Sequence, residues 1–459
     1  MKTPHLQLSS TRWKRLFPGL LLVFLLATDS AASADSSQTA DGRQPTIEIR
    51  AEDETRPEGQ AISGDKAPGK DQPGSDDWQR RLEMLRSVPY VDVSCREIDT
   101  GDTGVVIYDP DRLWAGCNFY CPRRKGSAFL LDMEGRTLHR WTYHPTVDDH
   151  AIMLENGDLV IVIKHFAVVR IDWTSKEIWR KRLAAHHDIA QAGDGSFFTI
   201  VRELKGHRGL QIWFDDLVRL SEDGEEIDRW SSYDHLAELK LKLDPRSFLD
   251  TVLDSVLARG QAGKDSLGLM EKTARQYDSL DYFHINSVSV LPENPMGLED
   301  RRFAPGNLLV CFRNVNQIVI LSPETHQVLW AWGEERLEWP HHPTMLDNGH
   351  ILLFDNGIRR GFSRVLQIDP VGGEVVWEYS AAPDGRFYSG FRGSAQRLPN
   401  GNTLICESDE GRVFEVTPAG EIVWTWLNPD IRGHHRRSLY RWSRLSESQV
   451  SGLLLDGER

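Results

Sequence analysis

The sequence predicts an all-β fold, a six-bladed β-propeller interrupted by a helical insertion, and three observations carry that prediction. One phrase recurs in a fixed frame. His150-Ala-Ile-Met-Leu-Glu-Asn-Gly157 leads into the apolar run Leu159 to Ile163, and His342-Pro-Thr-Met-Leu-Asp-Asn-Gly349 leads into Ile351 to Phe354. The frame returns without histidine at Ser394-Ala-Gln-Arg-Leu-Pro-Asn-Gly401, before Thr403 to Cys406. Next, six units close on a tryptophan after an acidic or glycine-containing turn: Trp141, Trp179, Trp230, Trp330, Trp377 and Trp424. Their regular intervals match the about 40–50 residues of a four-stranded blade. Finally, one unit resolves into four short strands, Ala151–Leu154, Asp158–Ile163, Ala167–Ile171 and Glu177–Trp179, joined by Asn-Gly or Asp-containing turns. The long interval between Trp230 and Trp330 has a visible cause. Phe248, Leu249, Val252, Leu253, Val256 and Leu257 form a helical stripe, so residues 234–280 read as an insertion.

Taken from the N-terminus, residues 1–34 read as an export signal. Lys2, Arg12, Lys14 and Arg15 precede the apolar stretch Leu16 to Ala27, and Ala32-Ser-Ala34 offers small residues for cleavage. That stretch is shorter than the ~20 residues a membrane span needs. The expectation is therefore a periplasmic or secreted protein with no stable span once the signal is removed. Residues 35–77 are Ser, Asp, Glu, Gly and Pro with few apolar side chains, a disordered linker that cannot offset its ordering entropy. Residues 78–103 form a lead-in helix and strand, 104–435 the propeller, and 436–459 a C-terminal tail.

Composition narrows the function. The 459 residues are 40% hydrophobic with 15 Trp, ample for a large core, and the net charge is −14. Without a basic run, nucleic acid is not an expected partner, because phosphates must be met by Lys and Arg. Five cysteines include Cys117 and Cys121, close enough to bridge across a turn, with Cys95 able to pair with either. Cys311 and Cys406 lie in strand-like runs and read as packing residues. Oligomeric state stays open, with a homodimer among the options.

In a propeller the innermost strands surround the axis, so residues at their heads meet although distant in sequence. His150 and His342 hold that place in the frame, and His186-His187-Asp188, His284-Ile-Asn286 and Arg313 lie near corresponding starts. Glycoside hydrolysis needs paired carboxylates, which these frames lack. A three-histidine metal site is conceivable, but an arginine in the ring would repel a divalent cation. Histidines beside Arg and Asn suit an oxyanionic group held by N–H donors while a neutral imidazole attacks.

These residues carry a resemblance. Gly104-Val-Val-Ile-Tyr-Asp109, Gly116-Cys-Asn-Phe-Tyr120, Leu130-Leu-Asp-Met-Glu-Gly135 and His139-Arg-Trp141 resemble the opening of the arylsulfotransferase family. His186-His-Asp188, Asp281-Tyr-Phe-His-Ile-Asn-Ser287, Phe312-Arg-Asn314, His341-His342, Phe354-Asp-Asn-Gly357 and Ser363-Arg364 follow in the family's order. The similarity runs from about residue 100 to 430 and ends with Leu398-Pro-Asn-Gly-Asn402 to Trp424. It implies sulfuryl transfer from an aryl sulfate to a phenol through a sulfated histidine, with no cofactor, PAPS or metal. By motif, His342 would be the nucleophile, although His341 is the one that aligns with His187 in the repeat frame. His284, Asn286 and Arg313 would hold the sulfuryl oxygens. His187 would move the phenol proton, with His186 and His341 lining the substrate pocket. His150 reads as structural, Asp355-Asn356-Gly357 as turn chemistry, and the tryptophans as blade packing. The alternative from another class is a non-catalytic exported propeller that binds a ligand or protein.

Overall fold

The computed structural model describes Ser94 and residues 101–456, apart from 124, 145–147, 208–209, 244–280 and 381–386. The export signal, the linker, nearly all of the lead-in and most of the helical insertion lie outside the described residues. Strand β1 (Gly104–Tyr108) comes first. Blade 1 follows with β2 (Cys117–Tyr120), β3 (Ser127–Leu131) and β4 (Thr137–Thr142). Blade 2 is β5 (Asp148–Met153), β6 (Leu159–Ile163), β7 (Ala167–Ile171) and β8 (Glu177–Arg182). Blade 3 is β9 (Ala185–Gln191), β10 (Phe197–His207), β11 (Leu210–Leu220) and β12 (Glu226–Ser231). Helix α1 (Leu236–Lys242) opens the insertion. Its Leu239 is buried among blade 3 and blade 4 side chains.

Blade 4 is β13 (Ile285–Val290), β14 (Leu308–Phe312), β15 (Gln317–Leu321) and β16 (Val328–Trp332), with the short helix α2 (Pro295–Glu299) between β13 and β14. Blade 5 is β17 (His341–Met345), β18 (Ile351–Asp355), β19 (Arg364–Asp369) and β20 (Glu374–Ser380). Blade 6 is β21 (Ser394–Arg397), β22 (Thr403–Glu407), β23 (Arg412–Val416) and β24 (Ile422–Leu427). A two-stranded hairpin, β25 (Ile431–Arg432) and β26 (His435–Arg436), precedes β27 (Trp442–Leu445) and helix α3 (Glu447–Asp456). No helix among the described residues is long and apolar enough to cross a membrane.

The ring closes at both chain ends. Strand β1 pairs antiparallel with β24 on the outside of blade 6, and β27 pairs with β2 as the innermost strand of blade 1. The segment expected to be a tail beyond the propeller therefore belongs to it. Its strand carries no Asn-Gly frame, because it is the last strand before the chain leaves the sheet, so no following hairpin turn marks it.

Six hydrophobic clusters each join two neighbouring blades, one at every interface. Both faces of each sheet are covered, and so β6, β14, β15 and β18 are buried at every residue instead of alternating. The six closing tryptophans all lie on the fourth strands, and five of them make the same link. Nε1 of Trp179, Trp230, Trp330, Trp377 and Trp424 donates to a carbonyl in the β3–β4-type turn of the next blade: Glu222, His326, Pro370, Pro418 and Met133, at 2.9–3.1 Å. Trp141 instead sets its ring edge-on to Trp173 of blade 2, with centroids 5.1 Å apart. The turn-then-Trp marker is thus one residue reaching out of its own blade and one turn receiving its predecessor's.

Of the cysteines, Cys117, Cys311 and Cys406 are buried free thiols, so no bridge joins Cys117 to Cys121. Cys95 lies outside the described residues. The latch of the ring rests on Trp442. It stacks on Tyr120 at 4.6 Å, lies 4.6 Å from Trp426, and donates to Asn118 Oδ1 at 3.0 Å. Trp442→Ala is expected to cost about 3–5 kcal/mol of stability. It would be read as a lower denaturant midpoint with an unchanged slope.

Candidate functional site

Four consecutive inner strands break register near their heads: β5 between Asp148 and His150, β9 after His186, β13 between Ile285 and Ser287, and β17 between His341 and Thr344. A bulge re-aims the side chains it contains. His187, His284 and His342 take positive φ angles of 63°, 49° and 47°, a left-handed backbone that non-glycine residues adopt at a cost. In blade 6, β21 runs without a bulge and opens with Ser394, the frame that lacks histidine.

The charge anchor of the site is Asp281, four residues before β13. Burial would raise its carboxyl, but Arg202, His284 and Arg313 outweigh that and hold it below the usual carboxylate range. Arg202 Nη2 lies 2.6 Å from Oδ2, and His284 Nδ1 lies 2.5 Å from the same oxygen. An ionised carboxylate only accepts, so His284 carries its proton on Nδ1 and a lone pair on Nε2. His187 Nε2 is 3.1 Å from that Nε2 and must be the donor, leaving His187 Nδ1 to accept. The Tyr440 hydroxyl, 3.2 Å away, donates to it. One ionised carboxylate therefore fixes the tautomers of two imidazoles and the direction of a phenolic O–H. Burial, with Arg313 adding to it, pushes the His284 pKa down to about 3 against the pull of Asp281. Burial, with the neighbouring His284 adding to it, holds His187 well below its ordinary value.

His341 is pinned independently. Its Nδ1 is 2.7 Å from Asn356 Oδ1 and 3.1 Å from the Trp339 carbonyl. Asn356 Nδ2 donates to the Ser389 and Arg392 carbonyls at 2.5 and 2.8 Å, so its oxygen must face His341. His341 is hence an Nδ1–H tautomer with its lone pair on Nε2. Asn286 Nδ2 and Cys311 Sγ both hold the Pro340 carbonyl, at 2.9 and 3.0 Å, which fixes the backbone entering His341. Burial and then Arg313 bring the His341 pKa down to about 3.

Arg313 begins the single 3₁₀ turn after β14 and lies 4.6 Å over the Trp339 ring. Its Nε and Nη2 are 3.3 and 3.1 Å from Asn314 Oδ1, and it forms no ion pair with a carboxylate among the described residues. A buried guanidinium in that state is a ready partner for an anion.

The sequence candidates divide accordingly. His187, His284, His341 and Arg313 come together, with Asn286 behind His341. His342 faces a second cluster. Burial, then Arg441, lowers its pKa well below the ordinary value, and its Nδ1 is buried without a hydrogen bond among the described residues. Arg441 also forms a two-pronged pair with Asp188, at 2.7 and 3.0 Å, and lies 3.2 Å from His150 Nε2. His186 has no exposed surface and sits 3.0 Å from Asp215, inside blade 3. Asp215 and Asp188 brace the neighbouring inner strand by accepting the amides of Ile285 and Val288, at 2.7 and 3.1 Å. No grouping of three metal-ligating side chains occurs among the described residues.

Four residues of these clusters are not marked by the sequence pattern. Asp281 was quoted within a motif, and its Asp-x-x-His spacing to His284 is a signal that could have singled it out. Asn356 was read as turn chemistry alone. Tyr440 and Arg441 lay in the supposed tail.

Among solved structures the chain is similar to a protein of unknown function from Bacteroides caccae, at 12% identity and TM-score 0.44, over 70% of this chain and 97% of that one. It is also similar to virginiamycin B lyase from Staphylococcus aureus, at 11% identity and TM-score 0.35, over 62% and 70% of the two chains. The Dos1 propeller is a third, at 10% identity and TM-score 0.38, over 73% of each. These likenesses concern the fold alone. No curated protein matches the chain. The profile of the arylsulfotransferase (ASST) family matches residues 150–429, more than half of the chain, and the chain belongs to that family.

Proposed function

We propose that the protein moves a sulfuryl group from an aryl sulfate ester to a phenol in two steps, with His341 as the covalent carrier. Family membership supports a sulfotransferase-like activity on aryl substrates. The observation that carries the finer reading is the pairing of a tautomer-locked His341 with Arg313, a cation that has no carboxylate partner among the described residues. His341 is chosen over the neighbouring His342 because Arg313 and His284 act on its ring, whereas Arg441 and His150 surround His342.

In the first step the Nε2 lone pair of His341 attacks sulfur. The sulfur–oxygen bond to the aryl group breaks, and its electron pair leaves on the phenolate. Arg313 meets the sulfuryl oxygens as charge builds on them. The Nδ1–H, held by Asn356 and the Trp339 carbonyl, stabilises the positive ring that forms. In the second step a phenol oxygen attacks sulfur, and the pair of the N–S bond returns to Nε2. Proton traffic with the phenols falls to His187 and His284, whose charged form would rest beside ionised Asp281. The apolar segment and small residues within 1–34 support export as part of the same proposal.

Protein incubated with 4-nitrophenyl sulfate alone should gain the mass of one acid-labile sulfuryl group, with a matching burst of nitrophenol. No adduct, and no nitrophenol release when a phenol is added, would leave a binding propeller as the better reading. The pH dependence is specific too. A protonated imidazole cannot attack, and burial puts that protonation of His341 at about 3. The burst rate should therefore stay level from pH 7 down to about 4, where an ordinary histidine of pKa ~6.5 would already have cost most of it. A fall centred near that ordinary value would contradict the assignment.

A further inference from the structure

We propose that Tyr440 is the proton gateway of this site, the group that meets the phenol oxygen and joins it through His187 to the His284–Asp281 pair. The inference rests on the sulfuryl-transfer reading above. His187 has both ring nitrogens engaged, Nδ1 by Tyr440 and Nε2 by His284, so it has no nitrogen left for a phenol. A proton must reach it through a neighbour. Tyr440 lies two residues before β27, the inner strand of blade 1, and His284 one residue before β13, the inner strand of blade 4, so both sit at strand heads. Its ring runs nearly parallel to that of His187, with centroids 6.1 Å apart and planes at 13°. On its other flanks lie the His150 ring at 5.8 Å and the Arg441 guanidinium at 5.8 Å. Tyr440 also lies beyond the span 150–429 that the family profile matches.

The direction of the hydrogen bonds makes the chain of groups a relay. Tyr440 donates to His187 Nδ1, and in the proposed relay the incoming phenol passes its proton to the Tyr440 oxygen. During acceptor attack the phenol O–H bond breaks and its proton passes to Tyr440 Oη. The Tyr440 proton passes to His187 Nδ1, and the His187 Nε2 proton passes to His284 Nε2. The freed electron pair forms the new oxygen–sulfur bond, while the N–S pair returns to His341. One positive charge is then left on His284, against the carboxylate of Asp281. The next phenolate to depart takes that proton back along the same path.

The test is the Tyr440→Phe variant of the full chain, which keeps the ring and removes only the hydroxyl. Burst rates with 4-nitrophenyl sulfate report the donor step, since nitrophenolate leaves without needing a proton. Transfer to a series of phenols of graded acidity reports the acceptor step. The loss at the acceptor step with unactivated phenol should exceed any loss at the donor step by about 10²-fold, the scale of general acid–base catalysis. The variant's rate should also rise with pH and with phenol acidity, as the phenolate fraction grows. Equal losses in both steps, or an unchanged dependence on phenol acidity, would overturn the relay. Absence of any transfer by the unaltered protein would instead reject the sulfuryl-transfer reading itself.

Discussion

His341→Ala is expected to abolish sulfuryl uptake, with a loss on the order of 10⁴-fold or more in the burst rate and no adduct by intact mass. His342→Ala should keep most of that activity. The two residues are adjacent, so any generic damage to β17 would affect both variants alike. What separates them is their surroundings. Asn356 claims Nδ1 of His341 and leaves the lone pair on Nε2, Arg313 acts on the same ring, and the Pro340 carbonyl before it is tied down twice. His342 instead feels the charge of Arg441, and it is the His150 ring that His342 acts on. The reverse result, an active His341 variant and a dead His342 variant, would restore the nucleophile to the position that motif order favoured.

The second large effect is expected from Asp281→Asn. The amide is neutral and can donate as well as accept, so it no longer dictates which nitrogen of His284 carries the proton. The His187 and Tyr440 protons lose their fixed direction with it, and Arg202 faces a neutral amide in place of the carboxylate 2.6 Å away. Turnover should fall by roughly 10³–10⁴-fold, the scale seen when a carboxylate that orients a catalytic histidine becomes an amide. The loss should sit in kcat more than in KM, because the substitution leaves Arg313, the proposed sulfuryl-binding group, in place. A variant within about tenfold of the starting rate would show that the tautomer is set by other groups.

Sequence periodicity carried the architecture well, and the reason is local. Asn-Gly turns, strand-length apolar runs and a tryptophan after each closing turn are all short-range signals, and each recurs in register. The site was legible only to the level of the strand head. A frame can say that position 341 or 342 leads an inner strand, but a one-residue bulge decides which of the two side chains turns to a given neighbour. Arg313 was found because it follows a strand directly. Asn356 and Asp281 were harder to value, since their importance lies in which nitrogen they leave free on a partner far along the chain. Tyr440 could not be placed from pattern at all. Its strand pairs with β2, more than three hundred residues earlier, and nothing local records that partnership.

That late strand ties two processes that are usually separate. A polypeptide that stops short of residue 440 leaves blade 1 with three strands, and it also lacks the tyrosine and the arginine that face the histidines. On a ribosome, every other element of the ring would already have emerged before the site could be assembled. Unfinished or C-terminally clipped copies would be mute toward substrate as well as open at the seam. Catalytic competence in this protein would then report that synthesis had passed β27.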